Sequence, residues 1–214
     1  DARPQQVPHV RADGVHAPLV AVERKRVEAA SVFAPERLVE PLLQLVRLAQ
    51  VLLGGGMYSG WGVRTLARGQ AVYNPLSYHN GTVWPHDNSL IALGLAQYAR
   101  WPEAQRIVQR MLMAARHFDF QLPEVFAGLR RSETPFPIAY PTAARPQAWA
   151  AGTPVLLLQV LLGLQPDPQR HRLESVAPLE LPHWTGSIRL SGVRTFETTW
   201  DVRVQDGRVE VSAV

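Results

Sequence analysis

The 214-residue chain contains no cysteine, and Lys25 is the only lysine among its 22 basic residues. The absence of cysteine excludes disulfides, thiolate zinc sites and cysteine nucleophiles, and it is typical of a protein from the reducing cytoplasm. The preference for arginine over lysine indicates a coding bias, and the basic residues are scattered among 18 acidic ones. Because nucleic-acid binding normally needs a clustered basic stripe, the net charge of +4 does not predict a nucleic-acid partner.

Long hydrophobic runs are also missing. The most apolar stretch, residues 155–164, is too short to cross a bilayer. The first residues lack the charged-then-apolar pattern of a secretory signal, so we expect a cytoplasmic protein with no membrane partner. With 46% hydrophobic and 19% charged residues, the chain has the composition of a globular protein that buries one sizeable core.

The pattern of the sequence divides the chain into three regions. Residues 1–33 have prolines and mixed charges without a sustained period, which predicts irregular structure. Residues 34–165 have apolar positions at helical spacing, and residues 166–214 alternate with period two and contain the hairpin dipeptide Asp206-Gly207, which predicts a small antiparallel β module. The helices of the second region are predicted to begin near Pro35, Asp87, Pro102 and Pro146.

Residues 73–88, with the sequence Tyr-Asn-Pro-Leu-Ser-Tyr-His-Asn-Gly-Thr-Val-Trp-Pro-His-Asp-Asn, are the most informative segment. So many polar side chains would lack partners in an apolar core. Aromatic faces beside amide, imidazole and carboxylate groups suit a sugar, because the rings stack on C–H faces while the polar groups bond hydroxyls. The alternative is a well-packed structural turn. Asp87 and Asn88 lie at a helix start, where either side chain is suited to capping backbone N–H groups.

Three further motifs follow in order: Leu122-Pro-Glu-Val-Phe-Ala-Gly128, Tyr140-Pro141 and Pro146-Gln-Ala-Trp-Ala-Ala-Gly152. Together with residues 74–88 they resemble the C-terminal part of bacterial amylo-α-1,6-glucosidases of the glycogen-debranching type. Those proteins belong to the six-hairpin toroid glycosidases, which are related to mannosylglycerate hydrolase-like enzymes. The resemblance implies a mainly α fold, a partial (α/α)6 toroid of helical hairpins followed by the β module.

The same resemblance implies inverting hydrolysis of an α-glycosidic bond in an oligo- or polysaccharide such as an α-glucan. Such a reaction uses two carboxyl groups about 6.5–9.5 Å apart, with a water between them. Glu124 matches the position of the general base. The positions that match substrate contacts are Tyr78, His79, Trp84, His86, Asp87, Gln147 and Trp149. No cofactor is implied, and His79 with His86 lacks the third ligand that a metal site would need.

The chain departs from the family at the general acid, an aspartate in a Gly-Trp-Lys-Asp-Ser-like segment that has no counterpart here. Ser59-Gly-Trp-Gly62 lacks a carboxylate, and Asp87 is the alternative acid within the chain. We therefore expect the C-terminal portion of such an enzyme. The alternatives are a noncatalytic carbohydrate-binding fragment or a module whose missing half of the toroid comes from another chain. Glu124 has its own alternative role, an ion pair with Arg130 or Arg131.

Overall fold

The computed structural model describes residues 36–177 and 181–214, so the predicted irregular segment 1–33 lies outside the described residues. The described part has four α-helices, which are α1 (Glu36–Leu53), α2 (Pro85–Gln97), α3 (Trp101–Ala115) and α4 (Ala148–Leu161). Its five strands are β1 (Leu164–Asp167), β2 (Arg172–Ser175), β3 (Ile188–Thr195), β4 (Thr198–Gln205) and β5 (Arg208–Ala213). Short 3-10 helices occur at Arg116–Phe118 and His183–Thr185.

Helix α2 packs against both α3 and α4, and these three helices contribute most of the main hydrophobic core. Apolar spacing predicts a buried face of α3 that includes Ile107, Val108 and Met111, and this is confirmed, since these three have no exposed surface. The same spacing predicts an inward face of α2 that includes Leu90, Leu95 and Tyr98. That face is wrong in part, because Leu95 is buried but Leu90 is 48% and Tyr98 66% exposed. Small residues of α2, with Leu95, fill the interface instead, which lets its neighbours approach closely.

The prediction of a mainly α partial toroid is wrong. In residues 36–177 and 181–214, two antiparallel sheets accompany the four helices: the hairpin β1-β2 and the three-stranded sheet β3-β4-β5. The fold is therefore mixed α and β. The hairpin β1-β2 directly follows α4, close to residue 166, where the β module was predicted to begin. Its strands have only four residues each, and Pro166 lies within β1, so neither strand has a strong sequence signal.

The β module after α4 has its own hydrophobic cluster, formed by Leu162, Leu164, Leu173, Leu181, Val202 and Val204. The predicted turn at Asp206-Gly207 is confirmed: it joins β4 to β5, and both residues have positive φ, 50° and 73°. Two positive φ values match a turn whose twist suits the paired strands. None of the helices in the described ranges is long and apolar enough to cross a membrane.

Two long connections, residues 54–84 and residues 122–140, form what we call the loop layer. Antiparallel bridges join Tyr58 to Val63, Arg64 to Val83, Val83 to Phe126 and Phe126 to Ala139. At its centre the Val83 N–H donates to the Phe126 carbonyl at 2.9 Å, and the Phe126 N–H donates back at 3.0 Å. Val83 and Phe126 have no exposed surface, so these loops are a packed layer of the core that carries the candidate site.

Candidate functional site

Glu124 lies in the loop layer two residues before Phe126, and its side chain is half-buried. Its backbone N–H donates to the Ala144 carbonyl at 3.0 Å, and the Ala144 N–H donates to its Oε2 at 3.3 Å. The bridge between Phe126 and Val83 brings this stretch beside residues 73–88. The backbone of Ala144 therefore holds both the main chain of Glu124 and one oxygen of its carboxylate.

Tyr78 donates its phenol hydrogen to Oε1 of Glu124 at 2.7 Å. This hydrogen bond is the main cause that raises the pKa of the Tyr78 phenol, with smaller contributions from desolvation and from the negative charge of Glu124. The phenol consequently keeps its proton and serves as a donor to the carboxylate. The two residues are 46 positions apart, so only the tertiary fold joins them.

Aromatic rings surround this hydrogen bond. The centroid of the Tyr78 ring lies 4.6 Å from that of His79, 4.9 Å from that of Trp84 and 5.6 Å from that of Tyr140. The His79 and Trp84 rings are nearly parallel, 6° apart, with centroids separated by 5.6 Å. We call the five residues Tyr78, His79, Trp84, Glu124 and Tyr140 the Tyr78 cluster. Rings at these distances pack in favourable edge-on and offset arrangements.

Trp84 is the buried ring of the Tyr78 cluster and does not present its face to solvent, since only 8% of the residue is exposed. Its indole N–H lies 3.2 Å from both the Tyr78 carbonyl and the Thr82 hydroxyl, which accept from it. A buried indole with a satisfied N–H packs well but offers little surface to a ligand. Trp84 was predicted to contact a sugar. Because it is covered, that contact depends on the more exposed rings that Trp84 supports.

His86, Asp87 and Trp149 form a second group at the start of α2 and α4. The His86 and Trp149 ring centroids are 5.1 Å apart, which links the first turns of the two packed helices. Trp149 is 58% exposed, and Asp87 is also exposed, in the first turn of α2. The most accessible aromatic face among the predicted site residues is thus Trp149.

The helix starts differ from the prediction. Asn88 is not a cap: it has no exposed surface, its Oδ1 accepts the Val63 N–H at 2.7 Å, and its amide donates to the carbonyls of Val63 and Trp84. It therefore ties α2 to the loop layer. Gln147 caps α4, because its Oε1 accepts the Ala150 N–H at 2.8 Å. That bond uses one acceptor position of Oε1 and leaves the NH2 group of the Gln147 side chain as the donor for a ligand.

Sequence reasoning did not assign two residues that shape the site. Tyr140 belongs to the Tyr140-Pro141 motif but was not predicted to contact substrate, and it joins the Tyr78 cluster from the second connection of the loop layer. Arg64 is 2% exposed, and its Nε donates to the Gly128 carbonyl at 2.6 Å. Burial is the main cause that lowers the pKa of its guanidinium. Arg64 thereby joins the two connections of the loop layer.

The alternative role for Glu124 does not match its contacts. Across the described ranges Glu124 forms no salt bridge, and the Arg131 guanidinium lies 5.0 Å over the Trp61 ring instead. Within those same ranges no three His, Asp or Glu side chains are grouped to hold a metal ion. No protein-family model matches the sequence, and no curated protein is significantly similar to it.

Proposed function

We propose that this protein is carbohydrate-active and that Glu124 is the general base of a glycoside-hydrolysing site. The observation that carries the proposal is the 2.7 Å hydrogen bond from Tyr78 to Glu124. It joins a carboxylate to a group of aromatic rings, and these are the two components that the sequence motifs implied for an α-glucan site. A cytoplasmic location, expected from the absence of cysteine, is part of the same proposal.

The contacts of Glu124 suit the activation of water. Tyr78 donates to Oε1 and the Ala144 N–H donates to Oε2, so the carboxylate plane is held in place. Each carboxylate oxygen can accept more than one hydrogen bond, and each therefore keeps capacity for a water. In the proposed step Glu124 takes a proton from that water as its oxygen attacks the anomeric carbon, and a general acid protonates the leaving oxygen.

Sugar contacts are assigned to the accessible side chains of the two groups. Trp149, backed by His86, offers an exposed ring for the C–H face of a sugar, and the exposed Asp87, next to His86 in the chain, is assigned to accept hydroxyl hydrogens. Tyr78 contacts Glu124 directly, and the rings of His79 and Tyr140, which keep exposed surface, pack against Tyr78. Trp84 acts beneath them by holding Tyr78 and His79 in position.

A second candidate function is carbohydrate binding without hydrolysis. One observation favours it: in residues 36–177 and 181–214, no second carboxylate makes a hydrogen bond within the Tyr78 cluster. Inverting hydrolysis needs an acid as well as a base. Asp87 is the candidate acid inside the chain, and a neighbouring polypeptide is the other source.

The test is an assay of turnover and binding on α-1,6- and α-1,4-glucans, using the wild-type protein, Glu124→Gln, and Glu210→Gln as a matched control. Glu210 is exposed in β5, outside the site. For a general base we expect Glu124→Gln to lower turnover by at least about 100-fold while retaining binding, and Glu210→Gln to match the wild type. If the wild-type protein binds the glucans but does not hydrolyse them, the second candidate function is favoured. Absence of both binding and turnover contradicts both functions.

A further inference from the structure

A concave site whose lining includes no residue of the Tyr78 cluster lies beside the loop layer. It is a cavity of about 330 Å³ between the turn after α1, helix α3 and the second loop. Its charged and polar lining is formed by Tyr58, Ser59, Arg106, Arg130, Arg131 and Ser132. We call it the arginine pocket. Its volume is at the small end of the range for ligand sites.

Two of the three guanidinium groups are held by aromatic rings. The guanidinium carbon of Arg106 lies 4.5 Å from the centroid of the Tyr58 ring, and that of Arg131 lies 5.0 Å from the centroid of the Trp61 ring. Tyr58 and Trp61 are themselves buried, 6% and 2% exposed. A guanidinium stacked on a ring keeps its in-plane N–H donors available, and its orientation is already restricted before a ligand arrives.

The positive charge of the pocket is not neutralised by the neighbouring acids. Over the described stretches, Arg106, Arg130 and Arg131 form no salt bridge with a carboxylate. Glu133 is the nearest acid in sequence, and it bonds the Arg130 backbone N–H at 2.8 Å and pairs with Arg68 at 3.8 Å. Glu103, on α3, pairs with Arg100.

Arg110 is a fourth cation, and its charge adds to the positive electric field of the arginine pocket. The positive charges of Arg106 and Arg110 both act on the Tyr58 phenol, where they oppose the larger effect of burial, which raises its pKa. A small polar cavity with several arginines outside salt bridges favours an anion of more than one charge.

We propose that the arginine pocket binds a phosphate group, either as free phosphate or as the phosphate of a small phosphorylated sugar. Three guanidinium forks converge on one small cavity, which suits a tetrahedral dianion whose oxygens accept paired N–H donors. Ser59 is not counted as a ligand, because its hydroxyl already bonds the Gly62 carbonyl and the N–H groups of Trp61 and Gly62. The exposed Ser132 is positioned to add a hydroxyl donor.

Calorimetric titration with inorganic phosphate, glucose 1-phosphate and glucose tests the proposal at matched ionic strength set with sodium chloride. We expect both phosphate compounds to bind and glucose not to bind to this pocket. Tighter binding of glucose 1-phosphate identifies a phosphorylated sugar as the ligand, whereas equal affinities identify free phosphate. No binding of either phosphate compound above the chloride reference overturns the proposal.

Variants locate the binding. Arg106→Gln combined with Arg131→Gln should weaken phosphate binding by at least about tenfold, as expected for the loss of charge-assisted hydrogen bonds. Arg208→Gln, at an exposed position of β5 without a salt bridge, is the matched control and should bind as the wild type does. Phosphate affinity unchanged in the double variant would overturn the assignment to this pocket.

A third variant guards against misfolding of the double variant, which loses both ring contacts. Arg130 is exposed and its side chain makes no ring contact in the described part of the chain, so Arg130→Gln should fold normally. Circular dichroism checks the fold of each variant. A folded Arg130→Gln protein with weaker phosphate binding supports the pocket, and one with wild-type affinity counts against it. Neither readout depends on glycoside hydrolysis.

Discussion

The loop layer is packed more tightly than the outward faces of the helices. Thr82, Val83, Val125 and Phe126 of the loop layer have no exposed surface. On α2 and α4, by contrast, Leu90 is 48% and Val155 54% exposed. The usual expectation is that helices form the core and loops cover it. Here the bridged centre of the loop layer is hydrogen-bonded and buried. Exposed apolar side chains occur both on the outward helical faces and in the outer part of the loop layer, where Val72 is 64% and Leu76 57% exposed.

The difference explains where the two candidate sites lie. A binding group must keep its geometry, and geometry is best kept where the backbone is bridged and buried. The Tyr78 cluster and the arginine pocket both use residues of the loop layer, and both rest on buried aromatic rings, Trp84 in one and Tyr58 with Trp61 in the other. The outward helical faces hold Trp149, which is accessible but less constrained.

The largest expected effect comes from Gly128→Ala. A Cβ at Gly128 would lie 1.7 Å from the Gly81 carbonyl oxygen, a backbone atom that cannot move aside without breaking the loop layer. We expect this variant to fail to fold, because overpacking already costs about 1–3 kcal/mol where side chains can adjust. Soluble yield and thermal unfolding followed by circular dichroism measure the effect of Gly128→Ala on folding. A stable Gly128→Ala protein would show that the loop layer is looser than described.

Two tryptophans test the same comparison between the loop layer and the outward faces of the helices. Trp84→Ala should lower the free energy of unfolding by about 3–5 kcal/mol, as is typical when a buried aromatic side chain is removed. Trp149→Ala should change it little, because the residue is 58% exposed, but should weaken glucan binding. Urea denaturation and affinity electrophoresis separate the two effects. Equal loss of stability in both variants would remove the distinction between the two regions.

A smaller effect concerns alkaline pH. The pKa values of Tyr58 and Tyr78 are raised in the folded protein above the ordinary tyrosine value of 10.0, by burial for Tyr58 and by the hydrogen bond to Glu124 for Tyr78. A raised pKa contributes stability that is present below the unfolded value and is lost as the pH rises through the folded value. The free energy of unfolding should therefore fall above pH 10.0.

Urea titrations across that pH range test the alkaline prediction. Tyr58→Phe or Tyr78→Phe should make the fall shallower. Tyr98→Phe is the matched control, since Tyr98 is 66% exposed, and it should leave the slope unchanged. If the free energy of unfolding falls with pH at the same slope in all three variants, groups other than Tyr58 and Tyr78 cause the fall.

The smallest effect has the opposite sign. Gly94 lies inside α2, and a Cβ there would meet no atom within 4 Å. Gly94→Ala should therefore stabilise the protein by about 0.5–1 kcal/mol, through the helix propensity of alanine. The midpoint of urea denaturation measures the change. Destabilisation by Gly94→Ala would mean that the outward face of α2 is covered in solution.

Much of the local structure follows from the sequence. Helices α2, α3 and α4 and the turn at Asp206-Gly207 were predicted from apolar spacing and turn chemistry. The hairpin β1-β2 was not, because a short strand containing Pro166 looks like an ordinary connection. The prediction of a partial toroid was wrong for a related reason. Residue patterns identify a helix, but the number of helices that pack together depends on contacts between distant residues.

Candidate site residues divide in the same way. The sequence singled out Glu124 and residues 73–88 because their chemistry is unusual for a connection, and the structure places them in contact through Tyr78. It did not identify Asn88 as a buried tie to Val63, because an asparagine at a helix start normally caps it. Nor did it indicate the arginine pocket, whose charged and polar lining residues are separated by up to 74 positions, between Tyr58 and Ser132.

Taken alone, the chain's residue order determined which segments are helical, which alternate as strands, and which carry carboxylate and aromatic groups, because these properties depend on neighbours within a few positions. Only the tertiary structure decided that Tyr78 donates to Glu124, that Trp84 is covered while Trp149 is open, and that three arginines surround one cavity. Those outcomes depend on the antiparallel bridges of the loop layer, one of which joins Val83 to Phe126, 43 positions along the chain. Pairing at that range is set by the packing of the whole chain.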